Sequence, residues 1–370
     1  NWEESELDFS FNKVTKDTFL KVFDTNLINM NKQIRPSNKD QLQSNFNLFL
    51  NRRNLQFKTG FASYENLVGK NSDRYQYILP YYNFSKKLFQ NSLGNLNFGS
   101  NGNNNLYNTN QFRSSIINNF SIISSDFFSD LGFKNNFDIL FKNKNLSKKN
   151  NDSNNMSKVK SELMNIFDLK TSIPLIKITD KYINSIEPKM SFRFNPTDMA
   201  NYSDISRTVN VDNIFDINRL GLDDSFEEGK SLTLGIDYKK ESLKDINRYF
   251  EFKLAGLLRD ENERNIPVSS SLNQRTSNLF GSAKYNLSKN VDMKYNFSLD
   301  NDFNTLENNS ISLGLSFFPL YQNSISKDLI TEDYIENYYR LTTNISFSEN
   351  NGKMGNSNIL SNSTTINFDN

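Results

Sequence analysis

The chain has 370 residues, 43 basic against 42 acidic, a net charge of +1, and neither cysteine nor histidine. The missing residue types exclude a thiol nucleophile, a histidine base, a histidine-bound zinc or copper, a Ser-His-Asp triad and a disulfide-stapled scaffold. The balanced, well-mixed charge argues against a nucleic-acid partner.

No apolar run reaches the about 18 residues of a transmembrane helix. That leaves a membrane barrel open, because its strands need only about 9–11 alternating residues and keep one face polar. Aromatic residues, 13% of the chain, are too frequent for disorder. The bias toward Asn, Lys, Ile, Phe and Tyr reads as base composition rather than function.

The dominant pattern is apolar residues at every second position, the signature of strands with one apolar face. It begins with Phe46, Leu48 and Leu50, turns at Arg52–Asn54, and resumes with Leu55, Phe57, Thr59 and Phe61. Residues 143–158 are polar and basic and are expected to be a mobile surface loop. The best helix candidate, Val159 to Leu169, is short and is read as a strand or lid. Met190, Phe192 and Phe194 form the next strand. Residues 195–229 then lack sustained alternation, and a loop of this length is usually functional or disordered.

Beyond it, Leu232, Leu234, Ile236 and Tyr238 point one way and Thr233, Gly235 and Asp237 the other. Further strands carry Phe250, Phe252 and Leu254; Leu279 to Leu287; Met293 to Leu299; Ile311 to Phe317; and Leu341 to Phe347. Asn/Asp/Ser/Gly clusters at 288–290, 300–304 and 349–352 are read as turns. Short turns between strands predict an all-β, antiparallel up-and-down meander of about 15 strands.

This leaves three architectures: a soluble β-sandwich or helical β-fold, a large transmembrane barrel, or one slice of a larger barrel. Aromatic strand ends at 81–84, 317–318 and 338–339 suit an interfacial girdle.

The acidic clusters do not make a reactive site. Residues 300–304 begin like a calcium loop, but Thr305 and Ile311 stand where that loop needs Gly and Glu. Asp223, Asp224, Glu227 and Glu228 are the best candidates for paired carboxylates. Neighbouring carboxylates usually project apart, and Arg219 and Lys230 are at hand as partners. Gly94, Gly99 and Gly102 have the wrong spacing to cradle a phosphate. No catalytic, cofactor or metal set emerges, and the chain is not read as an enzyme.

Four stretches in order carry a family resemblance: SDRYQYILPYYNF (72–84), YINSIEPKMSFRFNP (182–196), NIFDINRLGLDDSFEEGKSLTLGI (213–236) and IPVSSSLNQRTSNLFGSAKY (266–285). Together they resemble the barrel domain of the LptD family, which assembles lipopolysaccharide at the Gram-negative outer membrane. The resemblance implies a very large barrel preceded by a periplasmic jelly-roll, a lumen plugged by an LptE-like lipoprotein, and delivery over an LptA-like periplasmic bridge. The lipid would enter the membrane through a gap between the first and last strands.

Residues 1–370 are then expected to be a partial transmembrane barrel domain without the jelly-roll or the barrel ends, and not stable alone. The partners implied are lipopolysaccharide, the plug, the bridge and outer-membrane lipids. The alternatives are a general outer-membrane porin or receptor channel, or a secreted β-rich adhesin. Within the motifs, Glu187, Pro188, Asn218 and Gly235 are expected to be structural. Arg219, Gly221, Asp223 and Asp224 are expected in a loop that caps the lumen and touches the plug, with Arg219 paired to Asp223 or Asp224. Two departures stand out: Asp224 lies where the family often has Arg, and the absence of cysteine gives no basis for cysteine-controlled maturation.

Overall fold

The computed structural model describes residues 3–22, 40–68, 74–107, 110–150, 158–317, 341–352 and 355–366. Contacts divide the chain into two compact units, residues 1–125 with 138–165 and residues 126–137 with 166–370. Among the described residues the fold is all-β, with 18 strands in an antiparallel meander.

The first unit holds β1 (Glu4–Ser10), β2 (Gln41–Arg52), β3 (Leu55–Asn66), β4 (Tyr75–Asn91), β5 (Gly94–Tyr107) and β6 (Gln111–Ser124), and a single helical turn at Phe19–Val22. The short β7 (Phe127–Phe128) belongs to the second unit. β8 (Lys134–Lys149) and β9 (Lys158–Ser172) each run from one unit into the other. Pairing runs β1–β2–β3–β4–β5–β6 and on from β6 to β8.

The second unit continues with β10 (Leu175–Ile178), β11 (Tyr182–Asn195), β12 (Gly229–Ser242), β13 (Tyr249–Arg259), β14 (Leu279–Ser288), β15 (Val291–Leu299), β16 (Leu306–Phe317), β17 (Leu341–Gly352) and β18 (Gly355–Ile366). From β11 to β18 each strand pairs with the next.

Burial is inverted relative to a water-soluble sheet. Across β11, β12 and β13 the apolar face is exposed: Phe192 at 46%, Leu234 at 45% and Leu258 at 45%. The opposite, polar face is covered: Ser191 at 3% and Thr233 at 0%. Leaving a row of Leu and Phe in water costs about 25 cal/mol per Å2 of apolar surface, so this face belongs in hydrocarbon. The first unit shows matching order. Phe57, Phe84 and Phe98 pack edge-to-face or tilted along one face with centroids 6.4 and 6.0 Å apart, and Phe120 and Phe141 lie 6.4 Å apart. On the same face, a row of polar side chains bonds across the strands: Tyr82 to Ser100 (3.1 Å), Ser100 to Asn118 (2.7 Å) and Asn118 to Asn143 (3.3 Å). These side chains satisfy one another's hydrogen bonds.

The 18 strands, two of them short (β7 and β10), agree with an expected count of about 15, but several boundaries move. Residues 143–149 are the end of β8 and not a loop; 151–157 lie outside the described residues. Val159 to Leu169 is strand, within β9. Residues 349–352 complete β17 rather than turning. Tyr81 to Phe84 sit mid-strand in β4, so they are not a strand end. Residues 338–339 lie outside the described residues.

If the apolar face meets lipid, its tolerance of charge must differ from that of the polar face. Leu234→Arg is expected to cost about 2–4 kcal/mol and to cut the folded fraction sharply. Ser346→Lys, on the polar face of β17, is expected to leave folding nearly unchanged. Heat-modifiable gel mobility of each variant in membranes checks this.

Candidate functional site

In the second unit, two loops lie on the polar face of β11–β14. One is 196–228, between β11 and β12. The other is 260–278, between β13 and β14 and containing a 3-10 turn at Val268–Ser270. The first loop is shaped by asparagine side chains that imitate backbone turns. Asn210 Oδ1 accepts from the Asp212 N–H (2.9 Å), and the Ile214 N–H bonds the Asn210 carbonyl (3.0 Å). Asn218 clamps the next turn from both sides: its Oδ1 accepts from the Leu222 N–H (3.2 Å) and its Nδ2 donates to the Leu222 carbonyl (3.0 Å). Gly221 at the turn's apex has φ +60°, a conformation side chains disfavour.

The turns aim apolar residues at the sheet. Met199, Val209, Val211, Ile214, Leu220 and Leu222 form one buried cluster with Ala255 and Leu257 of β13, Phe280 of β14, and Ile266 and Leu272 of the second loop. Phe215 lies on Gly235 of β12, where any Cβ would fall 2.8 Å from its ring. Lys189, paired to Asp237 at 2.5 Å, reaches over the same ring at 5.9 Å. The loops also bond each other: Tyr202 N–H to the Asn265 carbonyl (2.9 Å), Arg207 N–H to Ser269 Oγ (2.8 Å), and Val268 N–H to the Ser203 carbonyl (3.2 Å).

Beneath them is a buried ionic centre. The Glu227 carboxylate accepts from Arg193 of β11 (2.5 Å), from Arg219 through Nε (2.7 Å) and Nη2 (2.5 Å), and from Arg259 of β13. All four side chains are at most 4% exposed. Arg219 also donates to the Ile214 carbonyl (3.3 Å), Thr233 Oγ1 (3.0 Å) and Ser231 Oγ (2.9 Å). Arg259 donates to the carbonyls of Leu272 (2.6 Å) and Glu228 (2.9 Å). Glu227 therefore ties two strands and the first loop together, and Arg259 brings in the second. Burial lowers the Arg219 guanidinium to about 9, opposed by Asp168, so it stays a cation at neutral pH.

A carboxylate pair, Glu228 and Glu263, sits where the loops leave the sheet. Glu228 accepts from the Met199 N–H (2.8 Å) and Asn265 Nδ2 (3.0 Å). Glu263 lies beside it, over Gly229, which has φ +84°. Burial, then the Glu228 charge, raise Glu263 to about 7 against the pull of Arg259. Tyr202 donates to Asp224, and burial followed by that bond pushes its phenol well above the ordinary value. Among the described residues, no three acidic side chains are grouped to hold a metal ion. The arrangement binds chain to chain and offers no reacting atom.

The motif residues are now placed. Glu187 accepts from Ser172 Oγ (2.7 Å). Pro188 lies where the partner of β11 changes from β9 to β10, and its carbonyl accepts from the Ile173 N–H (3.1 Å). Asn218 and Gly235 shape the loop and seat it. Arg219 does not meet Asp223 or Asp224; its carboxylate is Glu227, because the chain turns at Asn218–Leu222 and carries Arg219 inward while Gly221 and Asp223 face out. Lys230 faces Asp260 at 3.7 Å in solvent. Arg193 and Arg259 were not singled out, and the second loop was noted only as part of a motif stretch (266–285), not as a partner of the first loop. The available signal was two arginines at polar-face positions near the ends of β11 and β13, where an acidic pair follows in the loop.

An antiparallel meander with an exposed apolar face and a polar face covered by its own loops defines a membrane protein of the β-barrel class. The model of the family described as LptD, LPS transport system D, matches residues 1–359, and the chain belongs to that family. Its place is the outer membrane. No curated protein matches.

Among solved structures, the chain is similar to the ferric-catecholate import receptor Fiu from E. coli K12. Identity is 8%, TM-score 0.38, with 88% of this chain and 60% of that one covered. It is also similar to a mutant of the ferric enterobactin receptor PfeA from Pseudomonas aeruginosa. There identity is 9%, TM-score 0.38, with coverage of 85% and 52%. The chain thus spans little more than half the length of these receptors.

Two outcomes follow from the ionic centre. Glu227→Ala leaves three buried guanidinium groups without their shared carboxylate, and a loss of about 3–5 kcal/mol is expected. Limited proteolysis within 196–228 should become rapid while the strands stay folded.

Glu263 gives a pH dependence. Its folded value, about 7, is above its ordinary 4.5, so the folded chain holds the proton more tightly. The stabilising contribution is full below the ordinary value and lost as pH rises through about 7. Protease nicking of the loops should increase from pH 5 to pH 8 in the natural sequence and stay flat in Glu263→Gln.

Proposed function

We propose that this chain is part of the barrel domain of a translocon that inserts lipopolysaccharide into the outer leaflet of the outer membrane. The observation that carries the reading is the opposed character of the two faces. One face is apolar and suited to hydrocarbon; the other is polar and is occupied by folded loops rather than left as an open channel wall. Such a wall suits a cargo with a sugar-rich anionic head and acyl tails: the head follows polar groups while the tails stay in lipid. No bond need be made or broken, in keeping with a buried centre devoted to structure.

In this reading the loop pair caps the polar side and presents a surface to an LptE-like plug lipoprotein. Gly221 and Asp223 lie on the exposed side and are the residues for direct contact. Arg219 acts from beneath through Glu227, and Asp224 through Tyr202. Delivery falls to an LptA-like periplasmic bridge.

Depletion of the intact protein tests the function: surface lipopolysaccharide is expected to fall while iron-chelate uptake is unaffected. Unchanged surface lipopolysaccharide would overturn it. In the same background, Asp223→Lys should reduce co-purification of the plug lipoprotein without altering heat-modifiable mobility.

A further inference from the structure

The glycines of the second unit's sheet are of two kinds. Gly235 is covered by the ring of Phe215, and Gly281 by the ring of Phe297, so the chain fills the space each one leaves. Gly256 in β13 is different. A Cβ there would touch only Leu279 Cδ1, at 3.6 Å, and the Asn278 carbonyl, at 3.9 Å, which are ordinary contacts. Its own packing does not demand glycine, and its backbone conformation does not either.

What Gly256 leaves is a groove of about 370 Å3 on the apolar face, walled by Leu234, Leu254, Leu258 and Leu279. Phe303 overhangs it. This residue sits in the turn between β15 and β16 with φ +58° and is 59% exposed. A bulky residue in the left-handed region is an outlier that the surroundings must impose. Here the turn does so: the Phe303 N–H bonds the Asp300 carbonyl (3.0 Å), the Asn304 N–H bonds Asp300 Oδ1 (2.7 Å), and the Asp300 N–H bonds the Thr305 carbonyl (2.9 Å). An aromatic ring is thus held over an apolar notch that the protein leaves open.

We propose that this groove holds one acyl chain of an outer-leaflet lipid. The groove is continuous with the hydrocarbon-facing surface, so its occupant is apolar and comes from the bilayer. It lies at the end of the strands from which the long loops 196–228 and 260–278 depart. In outer-membrane barrels long loops are extracellular, which puts the groove at the outer leaflet. The inference rests on the outer-membrane placement of this sheet, and not on the cargo. A resident chain there would anchor lipid beside the loop-capped wall.

The test uses the intact protein in outer membranes, with a photoreactive benzophenone side chain at position 303 or, as a reference on the ordinary apolar belt, at position 347. Illumination is followed by mass analysis. Position 303 is expected to give a one-lipid adduct in higher yield than position 347. Gly256→Leu, which fills the groove, is expected to cut the adduct at 303 roughly tenfold, the loss of one well-fitted apolar contact, and to leave position 347 unchanged.

Lipid adducts at 347 but no excess at 303, adducts at 303 that are insensitive to Gly256→Leu, or adducts at 303 to protein would each overturn the groove alone. Absence of lipid adducts at both positions would overturn the membrane placement itself. Phe303→Ala, read by lipid retained through detergent exchange, gives a second measure: retention should fall, and unchanged retention counts against the groove.

Discussion

The two loops on the polar face of β11–β14 are tied to the sheet through one carboxylate. Glu227 is the only acid bonded to Arg193, Arg219 and Arg259 among the hydrogen bonds of the described residues. Three guanidinium groups in a dry site repel one another, and each pays to leave water. The site is tolerable because the forks of the arginines also reach Ser231, Thr233 and the carbonyls of Ile214, Glu228 and Leu272. This is a costly way to gain stability and a good way to gain specificity. In this placement Arg219 lies between β11 and β13 and Glu227 bonds arginines from both strands. The apolar cluster around Ile214 and Leu257 supplies adhesion, and the ionic centre sets the register.

That register matters because the sheet has a reversed solvent problem. Its apolar side is solvated by hydrocarbon, so the polar side has no conventional core to pack against. The loops supply one. Phe215 on Gly235, and Leu220 and Leu222 against β13 and its neighbours, make a small water-excluded core on what would otherwise be a wet wall. A loop held this firmly acts as part of the wall.

The fold was legible because strand alternation survives a strong composition bias: Leu232 to Tyr238 and Met293 to Leu299 are read correctly to the face. Strand ends were less legible. Residues 143–149 and 349–352 are rich in Asn, Lys and Glu, which signal turns in water, yet here they extend β8 and β17. Strands that run past the apolar band no longer need apolar residues, so the signal fades before the strand does.

The site was half legible. The 195–229 loop was placed to within one residue at each end, against an observed 196–228; Asn218 and Gly235, expected to be structural, shape and seat it, while Gly221, expected at a plug contact, sits at a turn. The ion pairing was misassigned because adjacency along the chain favours Asp223 and Asp224. The fold instead rewards the acid eight residues from Arg219, brought round by the Asn218 turn. Arg193 and Arg259 come from strands on either side of β12, and only the sheet order makes them neighbours.

The central claim is that residues 214–228 are a folded part of the polar face and not a solvated loop. Amide hydrogen exchange on the intact protein in membranes measures this directly. The account predicts that the amides of residues 219–228 exchange as slowly as those of β12. Exchange as fast as that of an unstructured segment would contradict it, whatever the protein carries.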